Sequence, residues 1–187
     1  MFNPFRFFAT GPDKPVLKSQ EKIDRLYKKY RLHVMLAITV GYGLAYPLRL
    51  ALNVVKKPLI DSGIFTAMDL GNIGSALLYA YALGKLSNGF LADHANVKRF
   101  FAFGVLISAL LNIAMGWSAV LLVWIVIWGL NGWFQGFGAP TGAVSISNWF
   151  SNKERGLIYG IWSTAHAIGE GLTFLVSSTI VALWGWQ

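Results

Sequence analysis

The chain has no cysteine. That excludes disulfides, thiolate metal sites and a cysteine nucleophile. Its three histidines are scattered without metal-ligand spacing, so neither a metal nor a cofactor is expected. Charge is scarce as well: 13% of residues are Asp, Glu, Lys or Arg, where a soluble domain carries about 25%. So little charge cannot cover a water-facing skin, which excludes an ordinary globular enzyme. Acidic residues are the scarcest, eight against sixteen basic ones, leaving a net charge of +8. The basic residues gather in the N-terminal tail and the short connections. No solvated basic domain is left to hold nucleic acid. No nucleophile, base and oxyanion donor form a set either, so enzyme chemistry is not expected.

Apolar sequence is abundant. The chain is 55% hydrophobic with eight tryptophans, and its mean hydropathy is +0.52. A membrane-spanning helix needs about 20 mostly apolar residues. Five stretches qualify, at about 32–55, 70–92, 100–116, 121–149 and 157–184. The fourth is long and is expected to bend at "GFGAP", where Pro140 lacks a backbone donor. Residues 1–31 form a tail with no continuous apolar run or small-residue cleavage site, unlike a removable signal. Within it Ile23, Leu26, Tyr27 and Tyr30 recur at helical spacing among lysines. This predicts a short amphipathic helix on an anionic lipid face, or else a solvated lead-in.

Lys and Arg set the orientation. Arg6, Lys14, Lys18, Lys22, Arg25, Lys28, Lys29 and Arg31 lie in the tail; Lys98, Arg99, Lys153 and Arg155 lie in the second and fourth connections. The opposite side holds only Lys56 and Lys57. The N-terminus is therefore expected in the cytoplasm, with Gln187 on the outer side. Two cations remain inside spans, Arg49 and Lys85. An arginine at mid-span costs roughly 2.5–3.5 kcal/mol on insertion scales, so it needs a purpose.

At 3.6 residues per turn, Tyr42, Tyr46, Arg49 and Asn53 share one face of the first span. Tyr81, Lys85 and Asn88 share a face of the second, and Trp162, His166, Glu170 and Thr173 of the fifth. Ionisable groups so placed face a bundle interior or a water-filled cavity. An Arg fork and a Lys point charge presented with tyrosines suit an anion such as phosphate. Plainer roles stay open at this point: Lys85 snorkelling to headgroups, Arg49 in an ion pair with Glu170, and His166 as a packed histidine. Gly132/Gly136, Gly138/Gly142 and Gly156/Gly160 have the G-x-x-x-G spacing of close helix contacts.

The stretch "NGFLADHANVKRF" resembles the loop motif of the major facilitator superfamily between spans two and three. There Gly89 would permit close helix contact, Asp93 would pair at a helix end, and Lys98–Arg99 would meet lipid phosphates. The narrower resemblance, from about Tyr30 to Trp186, is to the organophosphate:phosphate antiporter family. "GYGLAYPLRLALN" resembles its first-span motif and "YALGKLSNGFLADHANVKRF" its second-span lysine segment. "LNGWFQGFGAP" resembles its fourth-span signature, "NWFSNKERG" the connection after it, and "WSTAHAIGEG" the fifth-span segment.

The resemblance implies an all-α membrane protein of two six-helix halves, of which this chain supplies spans one to five. Arg49 aligns with the substrate-phosphate arginine, Tyr42 and Tyr46 with the tyrosines before it, Tyr81 and Lys85 with the second-span pair, and His166 with the substrate histidine. A second phosphate arginine would come from the missing half. The implied activity is exchange of an organic phosphate for inorganic phosphate across the inner membrane. A sensor of external hexose phosphate in a two-component system is the alternative, or a proton-coupled carrier using Glu170 and His166. The sequence departs from the family pattern at Pro47, at Leu50 (commonly lysine), at Ala167 (asparagine) and at Glu170 (glycine).

Overall fold

A computed structural model describes residues 7–12 and 15–185. Arg6, Lys14 and Gln187, which figure in the orientation expected above, lie outside the described residues. Those described form helices α1 (Gln20–Ala45), α2 (Pro47–Asp61), α3 (Ala67–His94), α4 (Val97–Met115), α5 (Leu121–Gln135), α6 (Gly138–Trp149) and α7 (Arg155–Trp184). No strand occurs among them.

Four helical stretches are long and apolar enough to cross a membrane: Gln20–Asp61, Val97–Met115, Leu121–Trp149 and Arg155–Trp184. The expected span at 70–92 lies in α3. At 28 residues α3 is long enough, but Asn72, Ser75, Tyr81, Lys85, Ser87 and Asn88 make it less apolar. It lies along α5, where glycines bring the two backbones together. A Cβ on Gly132 would run into the Leu77 carbonyl, and one on Gly84 would sit 2.8 Å from the Trp133 carbonyl oxygen. Packing this close drives helix association where lipid removes the hydrophobic driving force. Leu70, Ile73, Leu77, Trp124 and Trp128 form the core of this pair, joined by Leu52 and Leu59 of α2.

Three expectations about local structure need correction. The amphipathic stretch around Ile23–Tyr30 is not a separate helix. Ser19 caps the N-terminus of α1, and the helix runs unbroken from Gln20 into the first span. On its aromatic face Tyr27 donates to the Trp149 carbonyl at 2.9 Å, and the two rings stack. Gly156, Gly160 and Gly89 make no close helix contact, since a Cβ at each would meet nothing within 4 Å. The tight contact on α7 is at Gly169, where a Cβ would lie 2.6 Å from the Gly43 carbonyl oxygen. Finally, Arg99 is engaged by the tail: its Nη1 donates to the Phe7 carbonyl at 3.0 Å, while the Asn96 amide donates to that of Phe8 at 2.7 Å.

Two spans are interrupted. The first breaks at Tyr46, because Pro47 has no N–H to continue the α1 ladder and opens α2 at its first position. The fourth breaks at Gly136–Phe137, three residues before Pro140, within the stretch expected to bend.

At the end of the bundle holding the N-terminus, Arg31 clamps the connection before α7. Its Nη2 donates to Glu154 Oε1 at 2.6 Å, and its guanidinium lies 4.5 Å from the Phe150 ring centroid. The Arg31 hydrogen bond, with further bonds from Ser151, lowers the Glu154 carboxyl from an ordinary 4.5 to about 2. A depressed carboxylate stabilises the fold fully above its unfolded pKa and ceases to as pH falls through the folded one. Thermal melting in detergent should therefore show a loss of stability between about pH 4.5 and 2 that is smaller in Glu154→Gln. Superimposable pH profiles would mean that the ion pair contributes nothing.

Candidate functional site

The break at Tyr46 redirects the first span and places Arg49. That residue emerges from the first turn of α2, half-buried, with its guanidinium carbon 4.2 Å from the Tyr81 ring centroid and 5.8 Å from that of Tyr46. Lys85 Nζ approaches the same Tyr81 ring at 5.4 Å. Two cations from different helices thus share one aromatic ring, whose electron-rich face offsets part of their cost in a low-dielectric setting. Among the described residues Arg49 forms no ion pair with Glu170 or any other carboxylate. Its guanidinium is held by aromatic rings.

Tyr42, Tyr46, Trp162 and His166 stand beside this pair. His166 meets the Tyr42 and Tyr46 rings edge-on at 5.0 and 5.4 Å. Its Nδ1 lies 2.8 Å from the Ser163 carbonyl. A carbonyl only accepts, so Nδ1 carries the proton and Nε2 is the ring nitrogen free to meet a ligand. The expected packed histidine and the expected binding histidine are therefore compatible in one residue.

The expected site residues divide by depth. Tyr46, Arg49, Tyr81 and His166 are half-buried, and Lys85 and Glu170 are exposed. Trp162 is 1% exposed and Tyr42 5%. Both of these pack inward, deeper than the other expected site residues. A Cβ on Gly138 would lie 2.6 Å from the Tyr42 ring, and one on Gly142 would overlap the Trp162 ring. The small residues of α6 thus make room for the aromatics that carry His166. On α3 the predicted stripe splits, for Asn88 turns inward and donates to the Trp133 carbonyl at 3.0 Å. The loop residues Asp93, Lys98 and Arg99 are exposed at the far end of α3 and the start of α4, away from this cluster. Asp93 forms no ion pair among the described residues.

A well-formed cavity lies elsewhere. It has a volume of about 530 Å³ and is lined by Tyr30, Tyr42, Phe101, Lys98, Trp149 and Trp162 among others, but not by Arg49, Lys85 or His166. The Arg49–Tyr81–Lys85 group lies instead on an open face, as one wall of a site would.

Sequence reasoning gave no role to four neutral polar residues: Ser108 and Asn112 on α4, and Asn131 and Gln135 of the fourth-span signature on α5. Asn131 Nδ2 and Asn112 Nδ2 donate to the Leu48 carbonyl at 2.9 and 2.8 Å. Gln135 Nε2 donates to the Ala45 carbonyl at 3.3 Å and to Ser108 Oγ at 2.7 Å, and Ser108 in turn donates to Asn131 Oδ1. The available signal is two polar pairs spaced i, i+4 in otherwise apolar spans. A search for ionisable groups alone passes over it.

Known proteins share this arrangement of helices and sequence. The Major Facilitator Superfamily pattern matches residues 32–187. The chain is 31% identical to the membrane sensor protein UhpC of Salmonella typhimurium over 97% of its own length and 41% of that protein's. It is 33% identical to a probable hexose phosphate transport protein of Chlamydia pneumoniae, over 97% and 40%. It is 38% identical to the glycerol-3-phosphate transporter of Haemophilus influenzae, over 96% and 38%. The chain thus spans about two fifths of the length of these relatives. Among solved structures, a bacterial homolog of the human lysosomal transporter Spinster, inward-facing and unoccupied, superposes with a TM-score of 0.76 at 23% identity, covering 83% of this chain and 33% of that one.

Proposed function

The chain belongs to the major facilitator superfamily, and on that premise we propose that it forms part of an organic-phosphate carrier of the inner membrane. The carrier would exchange a hexose phosphate or glycerol 3-phosphate for inorganic phosphate by alternating access. The observation that carries this reading is Arg49, set against the Tyr46 and Tyr81 rings with Lys85 beside it and, among the described residues, no carboxylate paired with it. A cationic pair without a counter-ion suits an anionic ligand, and a guanidinium matches two phosphate oxygens at once.

This wall is open, so a second wall is needed, supplied by the other half of the protein with its own arginine. The two halves would rock about a ligand near the bilayer midplane. The N-terminus lies in the cytoplasm on this reading, and α3 is the second of five spans. Gly89 and Asp93 at the end of α3, with Lys98 and Arg99 at the start of α4, would move with the cytoplasmic ends. A sensor of external hexose phosphate is the second reading, favoured by the likeness to a protein named as a membrane sensor. Both readings need the same phosphate site. A genomic neighbour encoding a two-component kinase would favour the sensor, and rapid substrate exchange in proteoliposomes the carrier. A proton-coupled sugar carrier using Glu170 and His166 fits less well, because it leaves Arg49 without a ligand.

Arg49→Lys in the complete protein should nearly abolish phosphate exchange in proteoliposomes while leaving insertion and melting unchanged. Lysine keeps the charge and loses the fork. Exchange at the wild-type rate would remove Arg49 from the site.

Glu170 is exposed and unpaired with Arg49 among the described residues, so a phosphate need not displace it. Its carboxylate is left to accept hydrogen bonds from the hydroxyls of the organic moiety. Calorimetry on Glu170→Gln at two pH values should then show weaker binding of glucose 6-phosphate and unchanged binding of inorganic phosphate. Tighter phosphate binding would instead mean that the carboxylate competes for the guanidinium.

A further inference from the structure

The neutral network of α4 and α5 reaches the residue that the proposed function depends on. Pro47 interrupts the first span, and in the turn after it the Arg49 amide bonds to the Tyr46 carbonyl at 2.9 Å. The Ala45 carbonyl, which an unbroken helix would pair with Arg49 N–H, accepts from Gln135 instead. The Leu48 carbonyl accepts from both Asn112 and Asn131. Leu48 C=O and Arg49 N–H belong to one peptide unit. That unit is therefore held at its oxygen by two amides and at its nitrogen by the Tyr46 carbonyl.

The amides have no freedom to turn. A carbonyl accepts only, so each Nδ2 must face Leu48. The Asn131 oxygen then receives the Ser108 hydroxyl, and Ser108 receives Gln135. Asn131 and Ser108 are fully buried. The donor–acceptor sense along this chain is therefore fixed.

We propose that Ser108, Asn112, Asn131 and Gln135 are positioning residues for the ligand site: they hold the peptide that precedes Arg49, and with it the direction in which the guanidinium is presented. The inference rests on Arg49 being the phosphate contact. None of the four needs to touch the ligand. Beyond their bonds to one another, three amides from two helices converge on backbone carbonyls flanking one proline.

Two measurements on the complete protein in nanodiscs test this. The first uses no ligand. Spin labels at Val40 and Lys57, both exposed and about 25 Å apart along a helix rising ~1.5 Å per residue, read the angle between α1 and α2. Asn131→Leu, close in shape and lacking both hydrogen bonds, should shift or broaden that separation, and Ser108→Ala should do so more mildly. A distribution identical to wild type in both would overturn the proposal. The second is calorimetric affinity for inorganic phosphate in Asn131→Leu, Ser108→Ala, Arg49→Lys and the double variants. Affinity should fall by about tenfold or more, as for a displaced binding group, with no further loss when Arg49 is already lysine. Equal losses in both backgrounds would mean that the network supports the fold and does not act through Arg49. If wild type itself binds no phosphate, the functional reading fails and the spin-label distances still decide this one.

Discussion

A helix interrupted inside a membrane leaves backbone carbonyls that lipid cannot satisfy. Each one left unpaired costs about 2–7 kcal/mol, so a break persists only where other groups reach it. Pro47 imposes such a break on the first span: Gln135 takes the Ala45 carbonyl that it frees, and Asn112 and Asn131 reach the Leu48 carbonyl just past it. Much of the remaining architecture serves that arrangement. The glycines of α5 let α3 lie against it, which brings the Tyr81 ring to Arg49. The Gly43–Gly169 contact seats α7 against α1 and delivers His166 to the two tyrosines. A mid-span arginine is tolerated because rigid backbone and aromatic rings both surround it.

The legibility of this arrangement in the sequence is uneven, and the physics explains where. Spans are long apolar runs, so four of the five expected ones coincide with stretches long and apolar enough to cross a membrane, and the bend near Pro140 is readable too. The ionisable stripes are readable too, since charge is rare enough in this chain for Arg49, Lys85, His166 and Glu170 to stand out. What periodicity misjudges is rotation and depth. Trp162 and His166 share a helical face, yet Gly142 admits the Trp162 ring into the core while His166 stays at the edge. Asn88 shares a face with Lys85 by spacing and instead turns toward Trp133. Such outcomes depend on which neighbour is a glycine, and a single helix does not carry that information.

The uncharged network is the larger omission. Asn and Gln in an apolar span read as mild irregularities, because neither is costly enough to demand explanation alone. Their meaning lies in the carbonyls of another helix, 64 to 90 residues away in sequence. Local pattern has no access to that pairing. The corrections to Gly89 and Arg99 are of the same kind. The motif is recognisable, but its glycine faces open space and its arginine is occupied by the tail residue Phe7.

The central claim is that Arg49 meets phosphate directly, and an interatomic distance tests that without passing through rates or affinities. Solid-state NMR on the complete protein in lipid, with arginine nitrogens labelled and inorganic phosphate bound, reads the separation between guanidinium nitrogen and phosphorus. Charge-assisted hydrogen bonding predicts a nitrogen–phosphorus contact of ~4 Å, lost in Arg49→Lys. Persistence of every such contact in that variant, or no dephasing at any arginine in saturating phosphate, would contradict the claim.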